Sequence, residues 1–368
     1  MSLPETEALP SGTRLGERYE IASVLGRGAT GVVYSAARLN GEGEVALKVI
    51  HPALVADAQV RARFKREALI LRRLKGEHVC PVIDFEELAD PKGGPPLLCL
   101  ALEKVSGPTL ESIEKTEGPL DFPRATRIMI EICDALAVAH GEGVVHRDLK
   151  PANVILAGGK RVVVVDFGLS KVVGASSGTT GITAHGMIFG TPTFMSPEQA
   201  RGEELDGRSD IYSAGVILYE LLTETAPFAS KSPIAILTMH SETMPETPRE
   251  RAPGRGIPID LEAVCLKAMA KKREDRFQTA AEFAEALQRS LASATPLPKE
   301  KPKEAVERTM PAIPRPARDS VSPRKAPDSR RSVPPSSKAA PFPRTWIAVY
   351  VLSVVVSVAI GIAVAYAR

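Results

Sequence analysis

The chain has 368 residues, 44% of them apolar and 25% charged, the make-up of packed globular protein with room for one large or two smaller domains. Its formal net charge of +3 is too small to indicate a nucleic-acid partner. The four scattered cysteines, Cys80, Cys99, Cys133 and Cys265, form no CxxC pair or Cys/His cluster, so they read as small buried residues in a reducing compartment rather than a zinc site or disulfide framework.

Residues 1–18 read as an N-terminal extension. They lack the basic stretch followed by an apolar run that marks a secretory signal, so the domain that follows is expected in the cytoplasm. Residues 19–293 carry the patterns of a globular domain. Gly26-Arg27-Gly28-Ala29-Thr30-Gly31-Val32-Val33 spells GxGxxGxV, in which glycines let backbone N–H groups approach phosphate oxygens. A Rossmann turn shares this spacing but should open a helix, whereas Val32, Val33 and Tyr34 continue as strand and favour a glycine-rich hairpin. The apolar strand Val45–Ile50 contains Lys48, seventeen residues after Gly31. A lysine there needs an anion or water. Phosphate oxygens are one partner and Glu67, on a helix expected over Ala62–Leu74, is another; the alternatives are a snorkelling lysine and a solvated glutamate. Ile128, Ile132, Ala135, Leu136 and Ala139 form a helical stripe, Val162–Val165 a strand buried on both faces, and Leu261, Val264, Cys265, Ala268 and Met269 a further helix.

Residues 294–343 differ sharply. Twelve prolines, eleven Lys or Arg and five Asp or Glu, with few large apolar side chains, predict a disordered basic linker. Residues 346–366 carry no charge, and as a helix would span about 31 Å, matching a hydrocarbon core of about 30 Å. Trp346 and Tyr366 sit at its ends, where aromatic belts are expected, and the preceding Arg330, Arg331, Lys338 and Arg344 orient the N-terminal part to the cytoplasm. The expectation is a single-pass protein of the inner or plasma membrane.

His146-Arg147-Asp148-Leu149-Lys150-Pro151-Ala152-Asn153, then Asp166-Phe167-Gly168 eighteen residues after Asp148, then Ser196-Pro197-Glu198, resemble the eukaryote-like (Hanks-type) protein kinase family in order and spacing. The resemblance covers about residues 19–290 and implies a two-lobed α+β fold. A sheet-rich N-lobe (19–105) and a helical C-lobe (106–293) would hold ATP between them. It implies that Asp148 orients the substrate hydroxyl, Asn153 and Asp166 hold Mg²⁺ (or Mn²⁺ in its place), Lys48 contacts the α- and β-phosphates, and Lys150 stabilises the γ-phosphoryl group. Adenine would lie against Val33, Ala46 and Leu156, with hinge backbone from Glu103 to Val105 beside the gatekeeper Leu102. Asp210 would brace the catalytic loop and Arg276 pair with Glu198.

Lys150 and Gly190-Thr191-Pro192 are similar to the Ser/Thr branch, and the wording around Glu198 and Arg276 resembles bacterial, membrane-anchored members. Arg147 precedes the catalytic aspartate, as in members activated by loop phosphorylation. Thr183 or the Thr179–Thr180 pair are the expected autophosphorylation sites, their phosphate meeting Arg147 and Lys171. Protein Ser/Thr side chains are the implied substrates. The activating signal is left open among homodimerisation through the span, a cytoplasmic partner and another kinase. Filled positions at Lys48, Asp148, Asn153 and Asp166 argue against the alternative, a catalytically silent membrane-tethered scaffold that binds nucleotide.

Overall fold

The computed structural model describes residues 8–28, 30–41, 43–55, 57–168 and 191–293. Lys171, Thr179, Thr180 and Thr183, the linker 294–343 and the apolar stretch 346–366 lie outside the described residues. Among the described residues no helix is long and apolar enough to cross a membrane.

Strands β1 (Arg14–Leu15), β2 (Tyr19–Gly28), β3 (Gly31–Arg38), β4 (Glu44–Ile50), β5 (Val82–Leu88) and β6 (Leu97–Glu103) form one antiparallel sheet in the order β1-β2-β3-β4-β6-β5. Side chains alternate across a strand, so residue parity decides which face each one joins. Val32, Tyr34 and Ala36, with Val45, Leu47 and Val49 and with Cys99 and Ala101, bury themselves on one face together with Leu9, Leu15, Tyr19 and Ile21. Val33, Ala46, Lys48, Leu100 and Leu102 take the other face, in register with one another, as Val33 opposes Lys48, Lys48 opposes Leu100, and Ala46 opposes Leu102. The lobe therefore begins before residue 19. Leu9 and Leu15 cover the outer face, and the Leu9 N–H donates to the Tyr34 hydroxyl at 2.9 Å, so the second half of the expected N-terminal extension belongs to the sheet domain.

Helix α1 (Ala58–Leu71) starts four residues earlier than the periodicity predicts, because the Asp57 carboxylate caps it by accepting from the Gln59 and Val60 N–H groups. Its buried residues Val60, Phe64, Ala68 and Leu71 form one stripe. The helical lobe contains α2 (Leu110–Glu117), α3 (Phe122–Gly141), α4 (Pro197–Arg201), α5 (Gly207–Thr223), α6 (Pro233–Glu242), α7 (Pro248–Arg251), α8 (Ile259–Ala268) and α9 (Ala280–Ser293), with the hairpin β7 (Val154–Ala157) and β8 (Arg161–Val164). The predicted stripe of α3 is buried along its length. Helix α5 is buried almost all round, the mark of a central helix, and packs against α3 and α8. At Gly215 an added Cβ would stand 2.9 Å from the Ala268 side chain, which is how closely α5 and α8 approach.

A buried ion pair ties the ends of this lobe together. Arg276 donates to both Glu198 oxygens at 2.8 and 2.9 Å, and its remaining N–H groups meet the carbonyls of Ala270, Arg208 and Lys271. Ser209 donates to Glu198 as well, at 2.6 Å. Burial alone would push the Glu198 carboxyl up, but Arg276 outweighs it and holds the group below the usual carboxylate range. Arg276→Met leaves a buried carboxylate without its partner and should cost about 3–5 kcal/mol in urea unfolding. A loss below about 1 kcal/mol would show that the pair is dispensable.

Candidate active site

The glycine-rich run is a hairpin, with Gly28 paired to Gly31 across the β2–β3 turn, which excludes the Rossmann alternative. Its three glycines serve two purposes. At Gly26 and Gly28 an added Cβ would meet nothing within 4 Å, so the backbone there faces open space. Gly31 has φ +151°, and a Cβ would lie 2.0 Å from the Val49 carbonyl oxygen, so only glycine lets β3 approach β4.

Below this hairpin, Lys48 is 5% exposed and its ammonium lies 2.8 Å from Asp166 Oδ2. The partners expected for Lys48 were phosphate oxygens and Glu67. Among the described residues the ion pair of Lys48 is with Asp166, while Glu67, half-buried on α1, instead favours the charged form of Arg147. A buried ammonium needs an anion, and Asp166, whose backbone sits in the left-handed region at φ +65°, supplies it here.

The loop from His146 to Asn153 carries the remaining polar groups. Asp210, 1% exposed in the first turn of α5, accepts from the His146 N–H at 2.8 Å and the Arg147 N–H at 3.0 Å. Its Oδ2 also meets His140 Nε2 at 2.8 Å. These bonds hold Arg147 at φ +69°. Burial lowers the pKa of the Arg147 guanidinium, with Asp210 and Glu67 acting in the opposite sense. His146 Nε2 reaches the Val165 carbonyl at 2.9 Å and its ring packs 4.7 Å from that of Phe167, joining the loop to the Asp166 turn.

Asp148 Oδ2 accepts from Lys150 Nζ at 2.7 Å, and the same ammonium donates to Thr191 Oγ1 at 3.3 Å. Asn153 donates through Nδ2 to the Asp148 carbonyl at 2.8 Å, which leaves its Oδ1 as a ligand oxygen. The turn 151–153 therefore places Asn153 beside Asp148, and β8 leads straight into Asp166. Among the described residues no three His, Cys, Asp or Glu side chains cluster as a metal site.

Val33 and Ala46 are half-buried on the cleft face of the sheet and Leu156 is buried on β7. At the hinge, the Glu103 N–H is taken by the Pro81 carbonyl, and its own carbonyl meets the Cys80 thiol at 3.5 Å. Burial pushes that thiol up to about 12, so it stays protonated. Val105, next along, is half-buried against the core. A small recess beside Leu102 is lined by Leu71, Leu74, Cys80, Val82, Leu100 and Phe167, with Asp166 at its polar side.

The model of the protein kinase domain family matches residues 19–289. The chain belongs to the protein kinase family. The serine/threonine-protein kinase PknB of Mycobacterium tuberculosis is 40% identical over 271 residues, which are 74% of this chain and 42% of that protein. The serine/threonine-protein kinase pkn3 of Myxococcus xanthus is 37% identical over 292 residues, covering 78% of this chain and 52% of that one. The chain thus spans about half or less of the length of these curated relatives. The crystal structure of the Mycobacterium tuberculosis PknI kinase domain superposes with a TM-score of 0.58 at 28% identity, over 77% of this chain and all of that one.

Two residues of this kinase site were not picked out from the sequence. Gln199 donates from Nε2 to the Arg147 carbonyl at 2.7 Å, and it closes a capping box with Ser196. The Ser-Pro-Glu-Gln spacing of that box was a usable signal. His140, which meets Asp210, had none, being one more polar residue near the end of a helix. Gly31→Ala should lower stability by about 1–3 kcal/mol through the clash with β4. Gly28→Ala, facing open space, should change it by less than about 0.5 kcal/mol. Urea unfolding of the two variants checks this, and equal effects would contradict the division of labour among the glycines.

Proposed function

We propose that this chain is a protein Ser/Thr kinase that transfers the γ-phosphoryl group of ATP to Ser or Thr hydroxyls of proteins, its own activation loop included. The observation that carries the reading is the convergence of Asp148, Lys150 and Thr191 on one hydrogen-bonded group, with Lys48, Asn153 and Asp166 beside it at the end of β8. Phosphoryl transfer needs positioning and charge stabilisation more than covalent participation by the protein, and this set supplies both.

The Asp148 carboxylate orients the attacking hydroxyl and takes its proton as the oxygen–phosphorus bond forms and the bond to the β-phosphate oxygen breaks. Lys150, one hydrogen bond from that carboxylate, neutralises charge on the moving phosphoryl group. Lys48 holds the α- and β-phosphates, and the open backbone at Gly26 and Gly28 covers them. The free oxygens of Asn153 and Asp166 suit a hard cation, and Mg²⁺ bound there supplies positive charge to the phosphates. Val33, Ala46 and Leu156 enclose adenine, with hinge backbone at Glu103 and Val105 for its edge. The Thr191 hydroxyl, seated on Lys150, favours Ser or Thr as acceptor.

The apolar stretch 346–366 supports a single-pass anchor that keeps the kinase domain on the cytoplasmic side, the basic linker 294–343 lying between them. Thr179, Thr180 and Thr183 are the proposed autophosphorylation sites, with Arg147 and Lys171 as the cations that would receive the phosphate.

Incubation of the full chain with labelled ATP, Mg²⁺ and myelin basic protein should place label on Ser and Thr. Asp148→Asn and Lys48→Met should each reduce it by about 10²-fold or more. Folded wild type that transfers no label, or full activity in Asp148→Asn, would overturn the reading.

A further inference from the structure

Strand β6 ends at Glu103, where the chain leaves the sheet. Its last rungs against β4 pair Ala46 with Leu102 and Val45 with Glu103. Beyond them, among the described residues, the N–H groups of Lys104 and Val105 close no backbone hydrogen bond. This is the stretch that meets the edge of adenine in the reading above. Unpaired N–H groups are open to a ligand, but a segment without ladder bonds needs another restraint to keep one position.

That restraint is a rung made of side chains. Lys104 lies two residues beyond Leu102 and so continues the cleft face, and the register, carried one step further, sets it opposite Glu44. Its ammonium meets the Glu44 carboxylate there and holds that carboxyl below the usual carboxylate range. The same Nζ donates at 3.0 Å to the hydroxyl of Ser35 on β3. Ser35 opposes Ala46 in the register, which puts it on the cleft face too, and only 2% of it is exposed. A buried hydroxyl in an apolar sheet needs a partner, and the Lys104 ammonium supplies one. Lys104 is the better buried member of its ion pair, its side chain 28% exposed against 51% for Glu44. One cation thus ties the hinge to β3 and β4 at once.

We propose that Lys104 is a positioning residue for adenine, its tie to Glu44 and Ser35 replacing the next rung of the ladder and holding the hinge backbone to the sheet while the N–H groups there stay open to the nucleotide. This rests on the placement of ATP in the kinase reading above. Lys104 touches none of the reacting atoms and acts through the stretch from Glu103 to Val105. The phosphate end of the site, at Lys48 and the glycine-rich hairpin, takes no part in the tie. Cutting the tie therefore weakens the adenine end and spares the phosphate end.

The test is calorimetry of the full chain with adenosine, which reports the adenine end alone, and with tripolyphosphate, which reports the phosphate end. Lys104→Met keeps the stem and removes the ammonium. It should weaken adenosine binding about 3–10-fold and change tripolyphosphate binding by less than about twofold, the effect of losing a half-buried charge-assisted bond. Lys104→Glu combined with Glu44→Lys restores the ion pair in reverse, and the Ser35 hydroxyl can donate to a carboxylate as readily as it accepts from an ammonium. This swap should bring adenosine affinity back to within about twofold of wild type, where Lys104→Glu alone loses it. Unchanged adenosine affinity in Lys104→Met, or a swap no better than Lys104→Glu alone at an unchanged urea midpoint, would overturn the proposal. Equal losses for adenosine and tripolyphosphate would overturn it too, since they mark a general effect on the fold. Wild type that binds tripolyphosphate but no adenosine would sink the adenine placement instead, and wild type that binds adenosine but transfers no phosphate to myelin basic protein would sink the kinase reading.

Discussion

Two backbone N–H groups of the loop that carries Asp148 end on the two oxygens of one carboxylate, Asp210. That arrangement lets Arg147 occupy a left-handed conformation at φ +69°, which costs about 1–3 kcal/mol in a non-glycine residue. Hydrogen bonds to a charged acceptor, worth about 1.5–3 kcal/mol each, offset it. Asp210 is rigid because α5 is buried nearly all round, and His140 leans on the same carboxylate. Gly207 makes room for that histidine, since a Cβ there would stand 2.7 Å from its ring. From this anchor the loop reaches outward, through His146 to the Asp166 turn, through the Arg147 carbonyl to Gln199, and through Asp148 to Lys150 and Thr191. The Glu198–Arg276 pair then fixes α4, which carries Gln199, to the far end of the lobe.

The sheet contributes by parity. Because Lys48 shares its face with Val33, Ala46, Leu100 and Leu102, the strand that builds one core also delivers a buried ammonium to the cleft. Its bond to Asp166 crosses from the sheet to the helical lobe, linking the two halves of the proposed ATP site by one short contact. A lysine one position earlier or later would have pointed into the outer core instead.

Much of this was legible in the sequence, for local reasons. The hairpin, α1, α3, α8 and the β8 strand follow from apolar periodicity and glycine spacing, whereas the roles given to the residues of the His146–Asn153 loop came from the resemblance to the kinase family. Pairings decided by distant backbone geometry were less legible. Lys48 was expected to meet phosphate oxygens and Glu67, and among the described residues its ion pair is with Asp166, 118 residues further along the chain. Strand β1 is only two residues long, and its membership in the sheet depends on Leu9 and Leu15 finding the outer face, a tertiary choice invisible in an otherwise polar stretch. His140 owes its surroundings to helix packing alone.

The account stands on Asp210 holding the catalytic loop through both carboxylate oxygens. The most direct measurement is amide hydrogen exchange at His146 and Arg147, in wild type and in Asp210→Asn, whose carboxamide offers one acceptor where two are needed. Protection of at least one of these two amides should fall by about 10–100-fold, with α5 itself still protected, as expected from losing a hydrogen bond to a charged acceptor. Unchanged protection at both amides would contradict the account, because the loop would then owe its conformation to something other than Asp210.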